Sequence, residues 1–142
     1  MRPTPFSLEV KRSIPATPQQ VFDAWTIPSE LAAWWAPPGG SCGDVAIDLR
    51  PGGKYSIENE MPNGIIFVIH GEYLAIDPPN LLQFTWVGGD GQADEIVTVT
   101  FDQQGASTQV AVAHARVASE EAVESHSTGW RSCLDGLASH WT

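Results

Sequence analysis

Four histidines and six tryptophans are the residues of this sequence best suited to chemistry in an apolar setting. His114 shares the parity of Val110 and Val112, so on a strand it would face inward with them. An imidazole titrates near neutrality and can give a proton to a ligand carbonyl or take one from a hydroxyl, which makes His114 the candidate acid or base. His70 has the parity of Glu72 and is expected outside, while His126 and His140 fall in a C-terminal helical pattern. Tryptophan combines a large apolar face with a single N–H donor, which suits both a core and a ligand wall. Trp86 ends an inward strand parity and Trp130 lies in the middle of a helical apolar stripe, so both are placed on the wall of a pocket. Trp34 and Trp35 are neighbours about 100° apart on a helix, so one of them is expected to point toward the pocket mouth.

Tyr55, Ile57, Tyr73, Phe84, Val99, Val112 and Leu134 complete the predicted lining, with Asn59 as a further polar contact. Pro37-Pro38-Gly39-Gly40 is a candidate rim, and Arg50 is expected to face solvent or support a turn. Asp90, Asp94 and Glu95 stand in a glycine-rich hairpin without the oxygen spacing of a calcium loop, and read as solvated charge. The chain has no phosphate-cradling loop, no dinucleotide-binding glycine pattern, no His-x-x-x-His or Cys-x-x-Cys pair and no Gly-x-Ser-x-Gly elbow. No metal and no nucleotide or other cofactor are therefore expected. Cys42 and Cys133 are expected as reduced thiols.

The elements that must position these side chains follow from periodicity. Phe6 to Ser13 alternates as a half-buried strand. Thr17-Pro18-Gln19-Gln20 has the hydroxyl, proline and glutamine of a helix start, with Val21, Phe22 and Trp25 as its buried stripe. Pro28 interrupts that pattern, and Leu31, Trp34 and Trp35 suit a second short helix. From Gly43 to His114 the period changes to two, with turn signals that divide the stretch into six strands. Their inward sets are Leu82, Phe84 and Trp86, then Val97, Val99 and Phe101, then Val110, Val112 and His114. Ser119-Glu120-Glu121 opens a helix of about 23 residues, roughly 34 Å long, whose stripe is Val123, Trp130, Cys133, Leu134, Leu137 and Trp141. A helix of that length needs a broad surface, and the concave face of the preceding sheet supplies it. The expected fold is α+β, one domain with a curved antiparallel sheet of about seven strands wrapped around the last helix.

Composition narrows the partners. Seven Lys and Arg against seventeen Asp and Glu give a formal net charge of −10, which repels phosphate backbones and anionic lipid. The longest apolar run, Ile65 to Ile69, is strand-sized, so neither nucleic-acid binding nor membrane insertion is expected. The first residues do not form a secretory signal, and a cytoplasmic location is the expectation.

The succession Val21-Phe22-Asp23-Ala24-Trp25, Trp34-Trp35-Ala36-Pro37-Pro38-Gly39, Asp48-Leu49-Arg50-Pro51-Gly52-Gly53, Gly71-Glu72-Tyr73, Asp77-Pro78-Pro79 with Phe84-Thr85-Trp86, and Gly129-Trp130 with Leu134 resembles a known family. It is similar to the START-like homologues of the C-terminal domain of activators of the 90-kDa heat-shock protein ATPase, within the SRPBCC superfamily. The resemblance runs from about Leu8 to Trp141 and implies a helix-grip fold with a hydrophobic cavity between sheet and last helix. The resulting expectation is a binder of a small apolar or amphipathic molecule. The alternatives are a cyclase- or hydrolase-type enzyme on a polyketide-like or cyclic substrate, and a protein-interaction module, as a homodimer or a chaperone accessory.

Overall fold

Thr17 begins the first helix as its side chain predicts: its Oγ1 accepts from the Gln20 N–H at 3.2 Å while the Gln20 carboxamide oxygen accepts from the Thr17 N–H at 2.9 Å. The computed structural model describes residues 6–87 and 95–141. After β1 (Phe6–Ile14) come α1 (Pro18–Thr26) and α2 (Pro28–Trp34), separated where Pro28 cannot continue the first helix. Then follow β2 (Ser41–Ile47), β3 (Lys54–Glu60), β4 (Ile66–Asp77), β5 (Leu81–Trp86), β6 (Glu95–Gln104), β7 (Ser107–Val117) and α3 (Glu120–Ser139). The seven strands form one antiparallel sheet in the order β1-β7-β6-β5-β4-β3-β2, so the N-terminal strand closes against the last one, with Val10 opposite Val112. Register shifts in β1–β7, β2–β3 and β4–β5 bend the sheet.

Alternation decides which side chains meet the helix. Leu82, Phe84 and Trp86 of β5, Val97, Val99 and Phe101 of β6, and Val110, Val112 and His114 of β7 are all buried, and Glu95 lies on the same face. Against them α3 sets Trp130, Cys133, Leu134, Leu137 and Ala138. Ser119 caps this helix, its Oγ accepting from the Ala122 N–H at 3.1 Å. The helix has 20 residues, shorter than its stripe predicts, and Trp141 packs half-buried beyond its end. Tryptophans bridge the layers: Trp25 lies 5.0 Å from Trp34 and 6.0 Å from Trp130 between ring centroids, and Trp86 lies 5.1 Å from Trp130.

Two glycines of α3 meet opposite surroundings. A Cβ on Gly136 would sit 2.4 Å from the Trp34 carbonyl oxygen, so the glycine lets α3 approach the end of α2. A Cβ on Gly129 would meet nothing within 4 Å. Gly129→Ala is therefore expected to stabilise the fold by about 0.5–1 kcal/mol through helix propensity, while Gly136→Ala costs about 1–3 kcal/mol because backbone must move. Urea denaturation of the two variants checks this, and equal effects would contradict the packing described.

Candidate functional site

The space between sheet and helix is divided. Near β3, β4 and β5 it is closed by side chains: Tyr55, Ile57, Tyr73 and Phe84 surround a residual gap of about 20 Å³. The Tyr55 hydroxyl donates to the Thr85 carbonyl at 2.6 Å, and its ring meets Phe84 edge-on at 5.2 Å. These four predicted pocket residues form core. At the other end, a cavity of about 440 Å³ opens between α3, the β3–β4 hairpin and the segment after α2. Trp35, Trp86 and Trp130 form its inner wall, Met61, Phe67 and Ile69 its β-hairpin side, and Pro37 and Pro38 its rim.

Local structure explains why Trp35 reaches this cavity. Helix α2 ends at Trp34, and Trp35 adopts extended dihedrals at the C-cap, which turns it away from its neighbour. Its indole N–H donates to Asn59 Oδ1 at 2.8 Å, and the Asn59 amide donates to the Ile57 carbonyl at 3.0 Å. Trp34 donates to the Ala24 carbonyl at 2.9 Å and stays in the core. Val99 and Val112 are also core on the inner sheet face, and Leu134 is buried against the β1 side of α3. Cys42 and Cys133 are free thiols. Cys133 lines the cavity, but burial pushes its thiol up to about 12, so it remains protonated and does not offer a thiolate.

Behind Trp86 and Trp130 lies a polar cluster that corrects two expectations. Glu95, expected as solvated charge, is buried, and its Oε1 is 2.8 Å from His114 Nε2 and 3.1 Å from His126 Nε2. Asp90 and Asp94 fall outside the described residues. His114, expected at the cavity, is wholly buried one layer behind it. Its Nδ1 accepts from the Trp130 indole N–H at 3.0 Å, so the imidazole carries its proton on Nε2 and donates it to Glu95. Both nitrogens are thus committed, and none remains for a ligand.

The histidine that lines the cavity is His126 on α3. Its ring stacks on His114, 4.7 Å between centroids and 8° from parallel. One oxygen cannot lie in the plane of two parallel, separated rings. The Glu95 contact is therefore a directional hydrogen bond to His114 and a chiefly electrostatic one to His126. Burial alone would raise the Glu95 carboxyl, but the hydrogen bonds and charge of the two imidazoles outweigh it and hold the pKa at about 2. Burial lowers the His114 pKa against the opposing pull of Glu95, so at neutral pH the pair is a carboxylate beside a neutral ring.

The ligand atoms of Glu95, His114 and His126 lie within 4.8 Å of one another, close enough to raise the question of a metal. A cation would need a lone pair on His114 Nε2, but Trp130 already occupies Nδ1 as donor, so Nε2 must keep its hydrogen. The donor set fits a hydrogen-bonded carboxylate with two imidazoles better than a metal centre.

Periodicity contained signals for the residues it did not single out. Glu95 has the parity of Val97, Val99 and Phe101, and His126 stands one helical turn before Trp130. Phe67 and Ile69 share the inward parity of Tyr73, but parity could not say that they face an open cavity, and Met61, in the β3–β4 turn, gave no signal.

An open antiparallel sheet gripping a long C-terminal helix, with a helix pair between the first two strands, defines a helix-grip protein. The chain belongs to the Activator of Hsp90 ATPase homolog 1-like protein family, whose model matches residues 15–141. Among solved structures it is similar to a protein from Chromobacterium violaceum, at 25% identity and a TM-score of 0.80, with 96% of each chain covered. A protein from Nitrosomonas europaea shares the fold at 20% identity and a TM-score of 0.81, covering 94% of this chain and 92% of the other. So does an AHSA1-like protein from Aeromonas hydrophila, at 21% identity and a TM-score of 0.77, covering 95% and 91%. No curated protein matches the chain in sequence. No helix among the described residues is long and apolar enough to cross a membrane.

Proposed function

We propose that this protein binds a small hydrophobic or amphipathic molecule in the cavity bounded by Trp35, Trp86 and Trp130. The observation that carries the reading is the 440 Å³ space itself, which persists beside a core closed down to a 20 Å³ gap. Its volume falls within the range of ligand pockets, roughly 300 to 1,000 Å³. Its wall is chiefly aromatic and aliphatic, with Asn59, Ser125 and His126 as polar members, and it includes no lysine, arginine or carboxylate.

Gly129 supplies the test. It lines the cavity and has open space at its Cβ, so Gly129→Phe projects a ring into the cavity without displacing backbone. A panel of fatty acids, sterols and aromatic compounds is screened by thermal shift and tryptophan fluorescence. A ligand at 100 times its Kd adds about 2.7 kcal/mol to the stability of the wild type. Gly129→Phe is expected to fold normally and to lose at least about tenfold in affinity. A hit that binds both proteins equally contradicts the proposed site.

A further inference from the structure

We infer that the molecule held in this cavity carries a hydrogen-bond-donating hydroxyl on an aromatic or enolic body, and that His126 Nδ1 accepts from it. The inference rests on the cavity reading and adds the chemistry of the ligand's polar end.

The cavity wall has few polar groups to spend: besides His126 they are the indole N–H groups, Asn59, the Cys133 thiol and the hydroxyl of the solvent-exposed Ser125. Trp35 and Trp130 direct their N–H groups to Asn59 and His114, and the Asn59 oxygen is taken by Trp35. The Cys133 thiol donates to the Ala36 carbonyl at 3.3 Å. Among the described residues, no protein group is hydrogen-bonded to His126 Nδ1, although the ring lines the cavity. In the neutral imidazole, the negative charge of Glu95, 3.1 Å from Nε2, favours the proton on that nitrogen and leaves the lone pair on Nδ1. The carboxylate also makes that lone pair a better acceptor.

The same geometry disfavours an anionic head group. The wall has no lysine or arginine, and Glu95 already places a buried negative charge 3.1 Å from the ring. A ligand carboxylate would share the one imidazole with it, and a second carboxylate close by is repelled. A neutral hydroxyl donor meets the lone pair without adding charge. The aromatic wall, with Trp86 and His126 edge-on at 6.4 Å, favours a flat body behind that hydroxyl. Glu95 acts here as a positioning residue through His126.

Two probe families test the inference: naphthol with naphthalene and the naphthyl methyl ether, and hydroxyflavone with flavone and its methyl ether. Parent and ether bracket the hydroxyl in size, and neither donates. The wild type is expected to bind each hydroxyl compound about tenfold or more tightly than both non-donors. His126→Phe, which keeps a ring for stacking, is expected to bring the ratio, measured against parent and ether on the same variant, to about one. His126→Gln, which restores an acceptor oxygen, recovers part of the preference, and Glu95→Gln lowers it. Binding of all compounds without preference, or a preference that survives His126→Phe, overturns the hydroxyl inference and leaves the cavity reading standing. Affinities unchanged by Gly129→Phe overturn both.

Discussion

Trp130→Ala is expected to lower the free energy of unfolding by about 4 kcal/mol, the largest effect of any single substitution considered. Truncating a buried tryptophan costs about 3–5 kcal/mol through lost transfer energy and the space left behind. Trp130 is 2% exposed and touches Trp25, Trp35 and Trp86 with centroid separations of 6.0, 5.5 and 5.1 Å, so neighbours on α1, β5 and the segment after α2 lose a partner. The substitution also removes the donor to His114 Nδ1, leaving a buried acceptor unsatisfied at about 1–3 kcal/mol. Trp130→Phe separates the two contributions, because it keeps most of the apolar face and removes only the N–H. Its cost should be about half that of alanine or less. Urea midpoints should fall in that order with little change in slope. A loss under about 1 kcal/mol for Trp130→Ala would show that the tryptophan cluster does not hold helix and sheet together.

The second large effect is acid sensitivity located at one carboxylate. Glu95 titrates from an ordinary value of 4.5 down to about 2 in the folded protein, and His114 is lowered from 6.5. For both groups the unfolded chain takes up its proton at higher pH than the folded one, so stability rises with pH across each interval. The wild type is expected to lose stability first as pH falls below 6.5, through His114, and again between 4.5 and 2, through Glu95. The second step amounts to about 3 kcal/mol. Glu95→Gln keeps an acceptor for the His114 N–H and has no proton to take up, so its stability profile should be flatter over that lower interval. Chemical denaturation at a series of pH values measures both profiles. Parallel curves would mean that Glu95 is not held as an ion in the folded state.

The fold was legible because its signals are local. Alternation in β5, β6 and β7, the capping box at Thr17 and the serine cap at Ser119 each report on neighbouring residues, and all lie where their patterns placed them. The candidate site was only partly legible. Trp86 and Trp130 could be placed by parity and helical spacing and line the cavity, whereas spacing said only that one of Trp34 and Trp35 turns toward it, and the extended C-cap makes that one Trp35. Tyr55, Ile57, Tyr73 and Phe84 have the same inward parity, yet they close on one another, because parity names the face and not whether facing side chains fill it. Glu95 was misjudged for a related reason. Its glycine-rich neighbourhood suggested solvent, whereas its parity with Val97 fixes it inside, where two histidines from separate elements surround it. That meeting joins residues 19 and 31 positions apart, from β6, β7 and α3, and only tertiary structure brings it about.

The six tryptophans report directly on where a ligand sits, because each indole N–H gives its own resonance in a nitrogen-15 NMR spectrum. The protein is titrated to saturation with the tightest-binding compound of the ligand panel. The indole signals of Trp35, Trp86 and Trp130 are expected to shift together with the ligand concentration, while those of Trp34 in the core and Trp141 beyond the end of α3 move far less. Shifts confined to Trp141, or none at the three cavity tryptophans while binding is saturated, would contradict binding in this cavity.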